Sequence, residues 1–375
     1  NMSSYTLKNK QDVEDFVRGV TFMGTGGGGD PKLGLDFLLK ALEEGYKLNW
    51  VDISEIDEEE WVAMPFYMGS IAPISEENLK KLEEMGLGEP TVERPLIKAV
   101  QELEKCKQIK LGALIAGELG GSNTPAPLDT AARLNKVFID GDFAGRAIPE
   151  LTQATPCVKN KSICPLVMCD LWGNVNIIES AINFGMVEEY GRSIVMVTNQ
   201  MTGNIGFLMK VKELKEVMIP GTLTDSYIVG KTIRKAREAA GQDPVEKAVE
   251  VIGGHLLFKG TVTEREFEDK KGFMFGTHVL EGLDEFQGHT FKIWFKNENH
   301  ITWLDNKPYV CSPDIITVVA LGDCEPITNT YLKVRQQVAV IGKPHIKYRD
   351  KGDVNLLIPK HFGFDIEWKP MERMF

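Results

Sequence analysis

The sequence predicts a mixed α/β N-terminal domain followed by a β-rich C-terminal domain. Three observations carry this expectation. Apolar strand patterns alternate with helical ones over the first part of the chain, the arrangement of a parallel or mixed sheet flanked by helices. From His255 onward the character changes to short alternating apolar runs separated by Gly, Pro and Asp turns. At 375 residues the chain is also too long for one small core, so two domains are the natural division. They are placed at residues 2–165 and 166–375, the second opening with a helical crossover before its β-rich module.

Taken in order, Asp12 to Val20 and Lys32 to Glu44 have helical apolar spacing. Between them lies Met23-Gly24-Thr25-Gly26-Gly27-Gly28-Gly29-Asp30-Pro31. Asp30 is placed as the N-cap of the second helix and Pro31 as its first residue. Four consecutive glycines beside a helix start leave backbone N–H groups free for an anion or a polar carbonyl. The loop is no Walker loop, since no Gly-Lys-Ser/Thr follows. It is no dinucleotide fingerprint, since a helix rather than a strand precedes it. A strand is expected at Trp50 to Ile53, and a buried strand from Trp61 to Tyr67 ending at Met68-Gly69-Ser70. Helices follow at Glu76 to Met85 and Pro95 to Lys105, with Glu93 just ahead of the second.

Two apolar strands, Leu111 to Ala116 and Val137 to Ile139, then run directly into Gly117-Glu118-Leu119-Gly120-Gly121-Ser122-Asn123 and Asp140-Gly141-Asp142-Phe143-Ala144-Gly145-Arg146-Ala147-Ile148-Pro149-Glu150. Polar groups at the carboxyl ends of neighbouring parallel strands are where α/β proteins bind ligands. Four carboxylates, an Arg and an Asn at two such ends read as the floor of an active site. Further on, Ile163 to Cys169 and Asn174 to Ile178 read as strands, Ile178 to Tyr190 as a helix and Ser193 to Thr198 as another strand. Lys210 to Ala240 and Pro244 to Ile252 are helical. The β-rich runs are Leu256 to Phe267, Phe273 to Leu280, Thr290 to Phe295, Ile315 to Leu321 and Val338 to Ile341.

A net charge of −11 argues against a nucleic-acid groove or an anionic membrane surface as partner. No apolar run reaches the roughly 18 residues of a membrane span, and the first residues lack the basic and apolar regions of a signal peptide. Six cysteines in this length make no disulfide scaffold, and the spacing of Cys157, Cys164 and Cys169 matches no zinc pattern. A cytoplasmic protein with reduced cysteines is expected. The histidines are scattered singly and read as ordinary surface or core residues.

The Gly-Thr-Gly-Gly-Gly-Gly-Asp-Pro loop, the Glu118–Asn123 segment and the Asp140–Glu150 segment together resemble the S-methyl thiohydantoin desulfurase family. The similarity continues through Lys296-Asn297-Glu298-Asn299 and Ser312-Pro313-Asp314-Ile315-Ile316, so it covers nearly the whole chain. A Met or similar residue is usual in that family where Phe143 or Ala144 stands here, a departure that leaves the charged positions in place. The resemblance implies an α/β N-terminal domain, a β-rich C-terminal domain and chemistry on a five-membered cyclic imide or its sulfur analogue. Hydantoinase-pathway partners are implied as well.

Hydrolytic desulfurisation of such a ring needs water to attack an amidine-like carbon and expel a thiol. One carboxylate would act as general base, and a protonated group would assist the ring nitrogen or the leaving sulfur. Glu118 or Asp142 is assigned the base role, Asp140 the orienting role, and Arg146 the holding of a substrate carbonyl or carboxylate. Asp140 and Asp142, two apart on a strand, would project to one face. Asp142→Asn with unchanged turnover would remove that residue from the mechanism. Gly26, Gly27, Gly28, Gly29 and Asp30 would close over the ring edge. Glu93, Asn123, Glu150, Asn297, Glu298 and Asp314 complete the expected substrate-binding set, the last three reaching across a domain cleft. A metal route is open through Asp140, Asp142 and Glu118, which could hold a divalent cation that activates the water; no nucleotide cofactor is expected. Ring opening of a hydantoin-like amide and a non-catalytic binding subunit are the rival readings. The apolar C-terminal module suggests a homo-oligomer.

Overall fold

The structure is a computed structural model that describes residues 4–69 and 75–375. Ser70, the expected end of the third strand, lies outside the described residues. The first half begins with β1 (Ser4–Leu7), α1 (Lys10–Met23), α2 (Pro31–Glu43), β2 (Leu48–Val51), β3 (Trp61–Met68), α3 (Glu76–Glu84), α4 (Pro95–Lys107), β4 (Ala113–Leu114), α5 (Pro125–Arg133), β5 (Val137–Phe138) and β6 (Gly141–Asp142). There follow β7 (Leu166–Cys169), β8 (Val175–Ile178), α6 (Phe184–Thr198), β9 (Thr202–Lys210), α7 (Val211–Val217), β10 (Ile219–Pro220), α8 (Thr222–Glu238) and α9 (Pro244–Ile252). The chain closes with β11 (His255–Lys270), β12 (Phe273–Gly282), β13 (Thr290–Lys296), β14 (Glu298–Leu304), β15 (Lys307–Cys311), β16 (Ile315–Ala320), β17 (Gln337–Lys343) and α10 (Ile346–Lys351).

Two sheets organise these elements. The first has six strands in the order β5-β4-β3-β9-β7-β8. β3, β4 and β5 are parallel, while β9, β7 and β8 run antiparallel to their neighbours. The second is an antiparallel sheet of seven strands in the order β15-β14-β13-β12-β11-β17-β16. A mixed α/β part and a β-rich part are therefore both present. The expected division at residue 165, however, cuts through the first sheet, because β7, β8 and β9 all lie beyond it. The helix α8 crosses back too, packing along α1. A Cβ on Gly19 would lie 1.7 Å from the Ser226 carbonyl oxygen, and one on Gly230 1.7 Å from that of Asp15. Only glycine lets the two backbones come this close.

One apolar core joins the two parts. Phe16 and Trp50 from the start of the chain, Leu114 and Phe138 from the first sheet, Leu223 from α8, and Ile315 and Ile341 from the second sheet are all fully buried in it. At about 25 cal/mol per Å² of apolar surface, each such side chain contributes on the order of 1.5–3 kcal/mol. The shared core holds the second sheet firmly against the carboxyl ends of β4 and β5.

Local chemistry sets the element boundaries. Asp30 caps α2, accepting from Lys32 N at 2.9 Å, with Pro31 in the first turn. Asn183 caps α6 in the same way, accepting from Met186 N. The expected strand at Ser193 to Thr198 is instead the last part of α6. Its β-branched residues suit either state. Burial of Val195 beside exposed Met196 and Val197 follows the helical period rather than strict alternation. The strand of this region is β9, where Gly203 and Gly206 interrupt the apolar pattern. Among the described residues no helix is long and apolar enough to cross a membrane.

Candidate functional site

β4 and β5 are parallel neighbours, and their carboxyl ends deliver Glu118 and Asp140. Hydrogen bonding then divides the expected site residues into two groups. One group has its polar atoms committed to the protein itself; the other leaves them open.

Asp140 belongs to the first group. Its Oδ1 accepts from the backbone N–H of Leu223 (3.0 Å) and Thr224 (3.1 Å), and its Oδ2 from the Thr224 hydroxyl at 2.5 Å. It holds the first turn of α8, where a carboxylate also meets the favourable end of the helix dipole. Asp142 points elsewhere. Its Oδ2 takes the N–H groups of Ala144 (3.0 Å) and Gly145 (2.7 Å) and fixes the turn that carries Arg146. The two carboxylates do not share a face, because this stretch is a two-residue bridge to β10 followed at once by the turn. Among the described residues no three His, Cys, Asp or Glu side chains gather where they could hold a metal ion. Asp140, Asp142 and Glu118 thus do not fit the cation set expected of them, and no step is derived through one.

Arg146 is fully buried, and all five of its N–H groups are taken. Nε donates to Ala147 O (2.9 Å), Nη1 to Pro313 O and Asp314 O (3.2 Å each), and Nη2 to Thr25 Oγ1 and Asn299 O (3.1 Å each). No donor remains for a substrate carbonyl or carboxylate, so the holding role expected of Arg146 is corrected. It clamps the glycine loop, β14 and the β15–β16 connection to the 142–147 turn. Burial lowers its pKa to about 10, which leaves it charged at neutral pH.

Four further expectations change similarly. Asp314 is buried and accepts from His345 N (2.8 Å) and Met371 N (2.9 Å), pinning the C-terminal segment. Asn297, in the left-handed region at φ 58°, makes the turn between β13 and β14, and its Oδ1 accepts from Met274 N. Glu93 is exposed, paired to Lys40 at 2.7 Å on the surface, and contributes nothing to the cluster described next. Asp30 is committed to its cap and to the Tyr331 hydroxyl, 2.9 Å from Oδ2.

The second group forms a cleft between the two sheets. Glu118 keeps some solvent-accessible surface although protein crowds it closely. Its Oε1 accepts from Asn123 Nδ2 at 2.5 Å and its Oε2 from Ile148 N at 2.7 Å. Burial nevertheless pushes its pKa up to about 7, against those two hydrogen bonds and the charge of Arg146. Facing it from β14 is Glu298, 3% exposed, whose Oε2 has no hydrogen-bond partner. Burial first, and then the charge of Glu118, hold Glu298 well above the ordinary carboxylate range. Both effects favour its protonated form.

The glycine loop packs against both carboxylates' supports. A Cβ on Gly27 would stand 2.5 Å from Glu298 Oε1, and one on Gly28 2.4 Å from Gly120 Cα. Thr25, Gly26 and Gly28 accept through their carbonyls from Asn299 N, Asn329 N, and the N–H groups of Ser122 and Asn123. The N–H groups of Gly28 and Gly29 donate to no backbone carbonyl among the described residues.

Reasoning from sequence passed over three neighbours of this cleft. His300, on β14, is fully buried, with Nδ1 3.1 Å from Ser312 Oγ and Nε2 3.8 Å from Glu298 Oε2. Burial and the charge of Arg146 push its pKa well below the usual histidine value, so it is neutral. Lys296 pairs in register with Glu298 across the β13–β14 hairpin, which puts both side chains on one face. His361 Nε2 lies 2.7 Å from Glu150 Oε2. Burial pushes the Glu150 carboxyl up, but that hydrogen bond and the charges of Lys296, His361 and Arg192 outweigh it and hold it below its ordinary value. The i, i+2 spacing of Lys296, Glu298 and His300 across the β13–β14 turn was the available signal for the first two. His361 lies 45 residues beyond the Ser312–Ile316 motif and had none.

Fold and site together define a two-part α/β and antiparallel β protein with two buried carboxyl groups, Glu118 and Glu298, brought near each other from its two sheets. The chain belongs to the S-Me-THD-like family. The model of that family's N-terminal domain matches residues 11–180, and that of its C-terminal domain residues 182–371. A crystal structure of a protein from Chromobacterium violaceum, 20% identical, shares the fold over 98% of this chain and 99% of that one, with a TM-score of 0.75. No curated protein matches the sequence.

Proposed function

We infer that the protein is a hydrolase that removes the sulfur substituent from an S-methyl thiohydantoin or a closely related five-membered cyclic imide. Membership of the S-Me-THD-like family supports the substrate class. The observation that carries the chemistry is the pair of buried carboxyl groups: Glu118, raised to about 7, lies near enough to Glu298 for its charge to favour the protonated form there, and Glu298 has an unpartnered oxygen. Two neighbouring carboxyls of which one ionises while opposing ionisation of the other are suited to base and acid roles in one step.

In this mechanism Glu118 takes a proton from water as the water oxygen bonds to the ring carbon bearing sulfur. Glu298 gives its proton to the adjacent ring nitrogen, so that no full negative charge builds on the ring. Collapse of the tetrahedral centre breaks the C–S bond. The thiolate leaves with the proton held by Glu118, and the new hydroxyl returns its proton to Glu298 as the carbonyl forms. Methanethiol and a hydantoin result, and both carboxyls regain their starting states. Asn123 and the Ile148 N–H orient Glu118, while the buried charge of Arg146, one layer behind, tempers the cost of ionising either carboxyl.

The test is thiol release from S-methyl thiohydantoins, followed with a chromogenic disulfide. Steady catalytic thiol release is the expected outcome. Thermal stabilisation by hydantoins without any thiol would instead favour a ring-opening or binding role.

A further inference from the structure

If Arg146 cannot touch a ligand, the cleft needs another cation, and Lys296 has the geometry for it. Its side chain is 14% exposed. The ammonium lies 4.1 Å from the ring centre of Phe273 and 5.7 Å from that of Phe275. Within 4 Å the only carboxylate oxygen among the described residues is Glu150 Oε1, at 3.8 Å, beyond hydrogen-bond reach. The other oxygen of Glu150, Oε2, is held by His361 and by Gln153 Nε2, at 2.7 Å each, which fixes the carboxylate in place. A lysine buried this far normally uses its three donors. Here they are uncommitted, on the same face of the hairpin as Glu298.

The contacts around the ammonium hold it in place without saturating it. The Phe273 ring is also covered by the Arg192 guanidinium at 4.0 Å. Arg192 in turn is tied to Glu188 at 2.9 Å. Cation–π contacts of this kind are worth about 0.5–2 kcal/mol and, unlike a hydrogen-bonded salt bridge, leave the N–H donors free. The cation is thus anchored by aromatic faces and a carboxylate just out of bonding range, with its donors open to an incoming oxygen.

We propose that Lys296 is the substrate-binding cation of this cleft. Its ammonium hydrogen-bonds the ring carbonyl oxygen of the cyclic imide, while Phe273 and Phe275 form the apolar wall beside the ring. Glu150 and His361 act as positioning residues for the ammonium. The assignment rests on the desulfurase reading for its ligand. It adds a recognition element that selects rings bearing a carbonyl next to the reacting amidine.

Lys296→Met and Lys296→Arg, with wild type, are compared by calorimetric binding of 5-methylhydantoin, by thiol release and by thermal melting. The expected result is at least tenfold weaker hydantoin binding and a raised KM in Lys296→Met, with recovery toward wild type in Lys296→Arg and melting temperatures within a few degrees. Wild-type binding and KM in Lys296→Met would overturn the proposal. Should wild type bind hydantoin but release no thiol, the desulfurase reading fails while the binding comparison still decides the role of Lys296. Should wild type do neither, both fall. If Lys296→Met melts far below wild type, Lys296→Gln decides: wild-type melting with tenfold weaker binding upholds the contact, whereas wild-type melting with wild-type binding overturns it.

Discussion

The 140–146 turn and the Glu118–Lys296–Glu298 cleft contain the same kinds of side chain, buried side by side at the ends of the same strands, yet they do opposite things. Around the turn, Asp140 and Arg146 are saturated, and Asp142 has one oxygen on two N–H groups that hold the chain's own geometry, its other oxygen sealed in the interior without a partner. Across the cleft, Glu298 has an orphaned oxygen and Lys296 has no hydrogen-bonded partner, while two carboxyls crowd each other. Charge and burial alone do not mark a site. Unsatisfied capacity, directed at a place a ligand can reach, does so, because leaving it unfilled costs stability that only a bound partner restores.

The largest expected effect breaks the turn. Arg146→Met would leave four backbone carbonyls in a buried region without their donor. At about 1–3 kcal/mol for each unsatisfied group, the loss approaches the whole stability of a domain, and thermal melting should show an unfolded or barely folded protein. Next come Glu118→Gln and Glu298→Gln. Each should lower the rate of thiol release by about 10²–10⁴-fold, the usual contribution of a general acid or base, with little change in melting temperature. The pair should also give wild type a bell-shaped pH profile whose rising limb falls near 7, the value to which burial pushes Glu118.

A smaller effect reads the turn by pH. Burial pushes Asp142 up to about 7, above its unfolded value, so the folded state binds the extra proton. Its contribution to stability is therefore fully present below the ordinary carboxylate range and is lost as pH rises through about 7. Asp142→Asn should flatten that decline, seen as a smaller drop in melting temperature between pH 5 and 8. Glu93→Ala should be the smallest of all. A surface pair with Lys40 is worth about 0–1 kcal/mol, so melting and turnover should both stay at wild-type values.

Much of the fold was legible because its signals are local. The Asp30–Pro31 helix start, the strand ends at Glu118 and Asp140, and the switch to β-rich runs at His255 all depend on near neighbours in sequence. The division between the two parts was not, since β9 returns to pair with β3 across more than 130 residues. At the site, Glu118, Asn123, the glycine loop, Glu150 and Glu298 were named from sequence, and the structure gathers them. Their companions Asp140, Arg146 and Asp314, all with their polar atoms taken, and Asp142, with one oxygen taken, were named with equal force. Residue type and spacing carry no record of whether an N–H is already taken by a carbonyl 150 residues away, as between Arg146 and Asn299. That information exists only once the chain is folded.

The most direct measurement is thiol release by Asp142→Asn and Glu298→Gln, side by side with wild type on one S-methyl thiohydantoin. The unsatisfied pair being the working site predicts near-wild-type turnover for Asp142→Asn and a loss of about 10²-fold or more for Glu298→Gln. Turnover surviving in Glu298→Gln while it disappears in a folded Asp142→Asn would return the chemistry to the turn and contradict the account.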